Sequence, residues 1–209
     1  MGYKVLVAVP TYENITPDTF KSIYDLDKGD NEVIFEFVRG YDCARARNEI
    51  AERAIELDTD YVLMVDNDVK LPKDALLNLM EGNPLVCCGY YAHRDTAQKK
   101  GELNKTCACI LDGEISYTHQ YTMDDMKRLR EEGVTRERIH GGGLGCALIM
   151  TDIFKKMTYP WFDWANYSNG KMLSEDLYFC ERCKIAGIPI YVDPRVGCGH
   201  LIRTMQEVK

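Results

Sequence analysis

The chain has 209 residues, of which 45% are hydrophobic and 28% charged, and this ordinary globular balance excludes wholesale disorder. Its 26 Lys and Arg residues against 33 Asp and Glu residues give a net charge of −7. An acidic chain without a basic block is unsuited to binding nucleic acid through its phosphates, whereas surplus carboxylates suit a divalent cation.

The first half of the chain alternates predicted strands and helices. Continuous apolar runs rich in β-branched residues are typical of strands buried in a parallel sheet. The predicted strands are 4–9, 33–38, 61–65 and 85–88, and the predicted helices are 43–57 and from 72 to near 82. Asp42 is placed to cap the first helix, in which Glu49 and Arg53 have the spacing of an i, i+4 ion pair.

The second half is less regular. Its predicted elements are a hairpin of strands 106–111 and 115–118, a helix at 122–132, a strand at 146–150, a helix capped at 151, a helix at 175–186 and a strand at 188–192. No repeat or linker interrupts the chain, so the pattern predicts one α/β domain with a mixed, mostly parallel central sheet flanked by helices.

Cysteine usage and hydropathy indicate the compartment. The nine cysteines are an odd number, Cys87 and Cys88 are adjacent, and most lie in predicted strands or helices, which is typical of buried free thiols in a reducing compartment. No apolar run approaches the roughly 18 residues of a membrane-spanning helix, and the first residues lack the features of a signal peptide. We therefore predict a cytoplasmic protein without a membrane span.

Two carboxylates stand one residue apart in Asp66-Asn67-Asp68, at the carboxyl end of the third predicted strand. Ligands of open α/β sheets bind outside such strand ends. Two carboxylates against an apolar wall are costly unless a cation neutralises them, and Mg²⁺ or Mn²⁺ would keep coordination positions for substrate phosphates. An ordinary polar turn is the alternative, and spacing alone leaves both open.

Arg47 falls in the middle of the apolar face of the helix at 43–57. A guanidinium there must be paired or must reach a site near the helix start, because burying it alone is very costly. Three interpretations of Arg47 are open. Its guanidinium contacts a phosphate or nucleotide, or it forms a structural ion pair, or the stem covers apolar surface while the charged head stays in water. Asn48, the next residue, is a weaker candidate.

An acidic pair, Glu175-Asp176, begins the helix predicted at 175–186. Asp176 lies at the leading end of the apolar face of this helix, so its carboxylate is expected to point into the protein. A carboxylate positioned in this way suits a general base. The alternative is that both acids only complement the helix dipole, with Ser174 as the cap.

Three further features are ambiguous. Cys180 and Cys183 have a zinc-ligand spacing but fall on an apolar helix face, so we expect them to pack in the core. His200, preceded by glycines, completes a metal site begun by Asp68 or lies at the surface. The glycine run at 141–145 leaves room for a ligand or forms a flexible turn, and it is not a Walker loop.

Taken in chain order, these motifs resemble those of nucleotide-diphospho-sugar glycosyltransferases of the GT-A fold, family 2 in particular. The resemblance covers most of the chain and is carried by Val9-Pro10-Thr11, Arg47-Asn48, Asp66-Asn67-Asp68, Gly141–Gly145, Glu175-Asp176 and His200. It implies a single Rossmann-like GT-A domain over 1–209, with a nucleotide-binding half at about 1–95 and an acceptor-side half at about 96–209.

The resemblance also implies roles. Asp68 and His200 would bind Mn²⁺ or Mg²⁺, with Asp66 at the metal or near the ribose, and the cation would neutralise the leaving diphosphate. Asp176, beside Glu175, would take the proton from an acceptor hydroxyl and invert the transferred sugar. The donor would be a UDP- or GDP-type nucleotide sugar. The residues expected to bind it are Pro10, Thr11, Tyr12, Arg47, Asn48, Asp66, Asn67, Arg94 and Gly143, with Lys171 as a further charge partner.

Other functions stay open. A nucleotidyltransferase is one alternative, although the segment at 10–14 lacks the glycine and basic residue of its phosphate loop. A non-catalytic nucleotide-sugar-binding module is another. The aromatic segment at 159–162 supplies either a wall for a sugar ring or core residues, and the acceptor and oligomeric state are not indicated.

Overall fold

The computed structural model of the protein describes residues 2–12, 14–39, 42–93, 105–110, 119–166 and 172–201. The strands are β1 (Lys4–Thr11), β2 (Glu32–Arg39), β3 (Tyr61–Val65), β4 (Val69–Lys70), β5 (Val86–Tyr90), β6 (Lys105–Ile110), β7 (His119–Thr122), β8 (Glu137–Ile139), β9 (Cys146–Met150), β10 (Ala165–Asn166), β11 (Met172–Leu173), β12 (Ile190–Gly197) and β13 (Gly199–His200). The helices are α1 (Pro17–Tyr24), α2 (Cys43–Glu56), α3 (Ala75–Met80), α4 (Met123–Glu131), α5 (Asp152–Lys156) and α6 (Glu175–Ile185).

Seven of the described strands form the central sheet, in the order β2-β1-β3-β9-β5-β12-β8. Strands β2, β1 and β3 are parallel, as are β5 and β12, whereas β9 is antiparallel to β3 and β5, and β8 is antiparallel to β12. Five of these seven strands therefore run in one direction. The predicted α/β class with a mixed, mostly parallel sheet is confirmed.

Helices cover both faces of the sheet because side chains of the central strands alternate between two apolar layers. In β1, Leu6 and Ala8 pack with residues of α2, α4, α5 and α6, whereas Val5, Val7 and Val9 pack with residues of α1 and α3. The residues of β1 between its two end positions are all buried, which is why the strand is recognisable as a continuous apolar run.

The ends of α2 show one prediction that holds and one that is wrong. The Asp42 side chain accepts a hydrogen bond from the Arg45 backbone nitrogen at 2.9 Å, as expected of a cap. The expected pair of Glu49 with Arg53 does not form. Glu49 pairs instead with Arg45, and Arg53 reaches across to Glu36 on the neighbouring strand β2 at 3.0 Å.

The cysteines are free thiols, as predicted, and seven of the nine are buried. Cys180 and Cys183 lie in the apolar layer that contains α2 and α6, so their zinc-like spacing reflects core packing. Within the described part of the chain, no helix is both long enough and apolar enough to cross a membrane.

Candidate functional site

The acidic segment Asp66-Asn67-Asp68 forms a tight turn at the carboxyl end of β3. The Asp66 backbone nitrogen donates to the Gly145 carbonyl at 3.0 Å, and the Val69 nitrogen donates to the Asp66 carbonyl at 3.1 Å. These bonds tie the turn to the start of β9 and lead the chain into β4. The turn therefore lies outside the sheet edge, where ligands of open α/β sheets bind.

His200 reaches this turn because β13 pairs with β4 in antiparallel register, which places His200 opposite Val69. The Leu201 backbone nitrogen also donates to the Asp68 carbonyl at 2.9 Å. As a result, the Nε2 atom of His200 lies 3.8 Å from Oδ1 of Asp68. The structure thus brings together two side chains from distant parts of the sequence.

The orientation of the His200 ring is fixed on two sides. Its Nδ1 lies 3.0 Å from the Ala92 carbonyl oxygen, and the Tyr91 ring packs edge-on with centroids 5.0 Å apart. With the ring proton on Nδ1, this nitrogen donates to Ala92 and Nε2 presents a lone pair toward the Asp68 carboxylate. Two such acceptors repel each other unless a proton or cation lies between them.

These two residues fit a divalent cation. Histidines that bind metals usually donate their other ring N–H to a carbonyl or carboxylate, as His200 does to Ala92 under that tautomer. Among the described residues, no group of three or more His, Cys, Asp or Glu side chains is arranged to hold a metal. Mg²⁺ commonly keeps several water ligands and adds phosphate oxygens, so a pair of protein ligands is compatible with such a cation.

Arg47 is buried and forms ion pairs with two carboxylates. Its Nη2 lies 2.7 Å from Oδ1 of Asp66 and its Nε lies 3.5 Å from Oε1 of Glu175, while Nη1 donates to the Leu144 carbonyl at 3.4 Å. Burial lowers the pKa of Arg47, but the charges of Asp66, Glu175 and Asp176 outweigh this effect. The pKa of Arg47 therefore lies above its usual range. Of the open interpretations, these contacts support the structural ion pair rather than a donor contact.

Glu175 opposes Arg47 from the first turn of α6. Burial raises the pKa of Glu175, and Asp176 raises it as well, while Arg47 acts in the opposite direction. Glu175 is not one of the described residues that line the cavity beside the turn. Its carboxylate therefore contacts the guanidinium rather than the space where a substrate would bind.

Asn48 is a correction to the predicted donor contacts. Its amide nitrogen donates to the carbonyls of Ala44 and Phe162 at 2.9 and 2.7 Å. Its amide oxygen accepts from the backbone nitrogens of Trp161 and Phe162 at 3.1 and 3.2 Å. Because both halves of the amide are used, Asn48 anchors the segment at 161–162 on α2. Trp161 and Phe162 are buried, so they belong to the core and form no sugar wall.

A cavity of about 400 Å³ lies beside the turn. The residues that line it are Asp66, Tyr91, His93, Cys107, Cys109, Gln120, Gly143, Ser174, Asp176, Leu177 and His200. Four of the predicted site residues therefore line one cavity: Asp66 after β3, Gly143 in the glycine run, Asp176 in α6 and His200 in β13. The Asp176 carboxylate accepts hydrogen bonds from the Ser174 hydroxyl and, at 2.9 Å, from the Leu177 backbone nitrogen, both on Oδ1.

Most of the cavity wall was not predicted from the sequence. Tyr91, His93, Cys107, Cys109 and Gln120 come from the end of β5 and from the hairpin of β6 and β7, which have no motif of their own. Burial raises the pKa of Cys107 and of Cys109 to about 12. Both thiols are therefore neutral at pH 7 and poorly suited to act as nucleophiles.

The glycine run gives room to Tyr91. A Cβ atom at Gly143 would lie 2.3 Å from the Tyr91 hydroxyl oxygen, and one at Gly145 would lie 2.8 Å from both that oxygen and Oδ2 of Asp66. The Tyr91 hydroxyl accepts a hydrogen bond from the Gly145 nitrogen at 3.1 Å. Gly143 and Gly145 are thus required because the Tyr91 side chain packs directly against their backbone, beside the cavity that Gly143 also lines.

The loop after β1 lies next to the acidic turn. The Asn67 side chain donates to the Asn14 carbonyl at 2.7 Å, and the Asn67 carbonyl accepts from the Thr16 nitrogen at 2.9 Å. Pro10 is buried, and the Thr11 hydroxyl donates to the Asn14 carbonyl at 3.1 Å.

Tyr12 in this loop has a side chain that is 64% exposed. Pro10, Thr11, Tyr12 and Asn67 are outside the described cavity lining. The predicted charge partners Arg94 and Lys171 lie outside the described residues.

Comparison with known proteins shows the fold. No family model and no curated protein matches the sequence. Among solved structures, "A197 from STIV" has 19% identity and a TM-score of 0.62, over 96% of this chain and 86% of that one. "GalNAc-T7 with UDP, GalNAc and Mn2+" has 11% identity and a TM-score of 0.63, over 97% of this chain but only 44% of that one. The chain therefore has a GT-A-like, Rossmann-like fold, and it resembles a glycosyltransferase at the level of the fold.

Proposed function

We propose that the protein is a metal-dependent glycosyltransferase that moves a sugar from a nucleotide diphosphate sugar to an acceptor hydroxyl. The proposal is carried by the contact of Asp68 with His200 beside a cavity that His200 and Asp176 both line. The fold hosts more than one chemistry, so the residues of the site, rather than the fold, support this choice.

Asp68 and His200 are the residues that would hold Mn²⁺ or Mg²⁺. The bound cation supplies Lewis-acid stabilisation of the negative charge on the leaving diphosphate. Asp66 would face the ribose or the cation, and its carboxylate is held in place by Arg47 at 2.7 Å. The GalNAc-T7 structure, with UDP and Mn²⁺ bound, is consistent with this pairing of nucleotide and metal.

Asp176 is proposed as the general base. Its carboxylate is oriented by the Ser174 hydroxyl and the Leu177 nitrogen and lines the cavity. It would take the proton of the acceptor hydroxyl while that oxygen bonds to the anomeric carbon and the bond to the diphosphate breaks on the opposite side. The sugar is then transferred with inversion. Glu175 would act through Arg47, as a positioning residue.

The nucleotide end of the donor is proposed to lie along the loop after β1. Tyr12 offers an exposed ring for a base, and Pro10 and Thr11 shape the backbone beside it. Asn67 links this loop to the acidic turn, so nucleotide and diphosphate would be bound by adjoining segments. UDP- and GDP-type donors are the candidates for this loop. A cytoplasmic location stays a prediction of the cysteine pattern.

Binding of UDP and GDP with and without Mn²⁺, measured by calorimetry, tests the metal assignment. We expect Asp68→Asn and His200→Gln to abolish the Mn²⁺-dependent part of the affinity, as EDTA should for the unaltered protein. Asp74→Asn is the matched control, since Asp74 precedes α3 and makes no side-chain capping bond. Nucleotide affinity that is indifferent to EDTA and to both site variants would exclude the metal site.

Release of free nucleotide from a nucleotide sugar tests the reaction itself. We expect Asp176→Asn to bind the donor normally but to lose this release, because the base that activates the attacking hydroxyl or water is gone. Retained turnover in this variant would remove Asp176 as the base. Donor binding without any release by the unaltered protein would instead identify a binding module. Release of sugar 1-phosphate, the leaving group when the nucleotidyl group is transferred, would identify a nucleotidyltransferase.

A further inference from the structure

A two-stranded ribbon, formed by β10 and β11, directly precedes α6. In it, Ala165 pairs with Leu173 and Asn166 pairs with Met172. Cross-strand partners share a face of the ribbon, so the first pair lies on one face and the second on the other. Leu173 is buried, whereas Asn166 and Met172 are exposed. The ribbon therefore has an inner face against the protein and an outer face in solvent.

Trp164 belongs to the outer face. The register of the ribbon, continued by one residue, sets Trp164 opposite Ser174, on the face of Asn166 and Met172. Trp164 is 44% exposed, whereas Trp161 on the same segment is 7% exposed and donates its indole N–H to the carbonyls of Phe154 and Met157. Met172, on the same face, is 63% exposed, so the two side chains together leave an apolar surface in water, which is typical of a binding surface.

The outer face of the ribbon lies next to Asp176, the proposed base. Ser174 lines the cavity, and its hydroxyl donates to the carboxylate of Asp176. Because directly opposed residues in an antiparallel pair have Cβ atoms about 5 Å apart, Trp164 stands roughly one strand spacing from Ser174. A molecule resting on the indole would thus reach Asp176 across Ser174.

We infer that the outer face of the ribbon, formed by Trp164, Asn166, Met172 and Ser174, is the acceptor platform, and that the acceptor carries its hydroxyl on a sugar ring. The apolar C–H face of a pyranose would pack on the indole and the Met172 thioether. The Asn166 amide would bond ring hydroxyls, and one hydroxyl would face Asp176. This inference rests on the proposed function, since it names the acceptor class of that reaction.

The position of the ribbon favours the acceptor over the nucleobase as the group stacked on Trp164. Helix α6, which follows the ribbon, packs in the apolar layer with α2, whereas α1, which follows the proposed nucleotide loop, packs in the layer on the other face of the sheet. The platform and the nucleotide loop therefore belong to opposite sides of the sheet edge. In an inverting reaction the acceptor approaches from the side away from the diphosphate, which suits this separation.

Fluorescence quenching tests the platform without requiring turnover. The chain has two tryptophans, so the difference in acrylamide quenching between the unaltered protein and Trp164→Phe reports on Trp164. We expect methyl β-glucopyranoside or methyl β-galactopyranoside to protect Trp164, and glycerol at the same hydroxyl concentration to leave it accessible. Trp164→Ala lacks this reporter, so its affinity for the protecting pyranoside is measured by calorimetry, and we expect it to be about tenfold weaker, the loss of one aromatic contact.

Tyr159→Ala is the matched control, because Tyr159 is 58% exposed on the same segment but packs edge-on against Trp161. It should leave pyranoside binding unchanged. Trp164→Ala should also keep the calorimetric affinity for UDP and GDP of the unaltered protein, which separates the platform from the donor site. Equal protection by glycerol, no protection by either pyranoside, or equal loss in both alanine variants would overturn the platform. Pyranoside protection in a protein that releases no nucleotide would support the platform and overturn the transferase proposal.

Discussion

Replacing Arg47 with methionine tests whether a buried cation holds the candidate site together. The Arg47 side chain is 3% exposed and lies 2.7 Å from Asp66 and 3.5 Å from Glu175. Methionine keeps an apolar stem but leaves Glu175, whose side chain is 9% exposed, without its counter-charge. Removing one partner of a buried ion pair costs about 3–5 kcal/mol. Asp66 is 30% exposed, so water screens its charge and most of the loss comes from Glu175.

Urea unfolding followed by tryptophan fluorescence measures this loss. The matched control is Arg53→Met, because Arg53 lies on the same helix and pairs with Glu36 and Glu56 while its side chain is 43% exposed. Water screens an exposed pair of this kind, so its loss should change the free energy of unfolding little. A free energy of unfolding that falls no further in the Arg47 variant than in the Arg53 variant would refute the reasoning.

The loss of stability in the Arg47→Met variant should depend on pH, because it arises from the charge of Glu175. Burial already raises the pKa of Glu175 in the folded protein, and loss of Arg47 removes the group that opposes this shift. The folded variant then binds a proton more tightly than the unfolded chain, so its stability falls as pH rises between the two pKa values. We expect the deficit of the Arg47 variant to be small in acid and full at neutral pH. Adding Glu175→Gln should restore most of the stability at neutral pH and remove the pH dependence.

Two further substitutions probe the walls of the site. Gly145→Ala puts a Cβ atom 2.8 Å from the Tyr91 hydroxyl, and we expect it to destabilise the fold by about 1–3 kcal/mol and to weaken nucleotide binding. Gly142→Ala is the control for calorimetry, since its nearest contact, at 3.1 Å, is the flexible end of an isoleucine. Asn48→Ala leaves backbone N–H groups at 161–162 without an acceptor, which costs about 1–3 kcal/mol. Emission of Trp161 should then shift to longer wavelength, and unchanged emission would contradict the anchoring role.

The fold could be predicted as far as local patterns determine it. Strands β1 and β3 are buried on both faces and show as continuous apolar runs, and the cap of α2 follows from Asp42. The two-residue strands β4 and β13 have no such pattern, because each is a strand only by its pairing with the other. The pairing of Arg53 was predicted wrongly because the reach of a long side chain to a neighbouring strand outweighs its spacing within the helix.

The residues of the candidate site could also be predicted only in part. The carboxylates of the turn after β3 and of the start of α6 could be singled out, because each follows or begins an apolar element, where an unpaired carboxylate is costly. The burial of Arg47 could also be deduced from its helix face, but its partners could not, since Asp66 and Glu175 come from other elements. Tyr91 escaped prediction because a tyrosine after a strand usually packs in the core, and only the assembled glycine run shows its contact.

The proposed metal pair depends on a tertiary contact rather than on the acidic motif itself. The turn that carries Asp68 is held by its own backbone hydrogen bonds, but His200 reaches it only because β13 pairs with β4 and the Ala92 carbonyl fixes the ring. The site is therefore completed by β13, the last of the described strands along the chain. A change that detaches β13, without touching any carboxylate, should remove metal-dependent nucleotide binding while leaving the central sheet intact, because β13 is not one of the strands of that sheet.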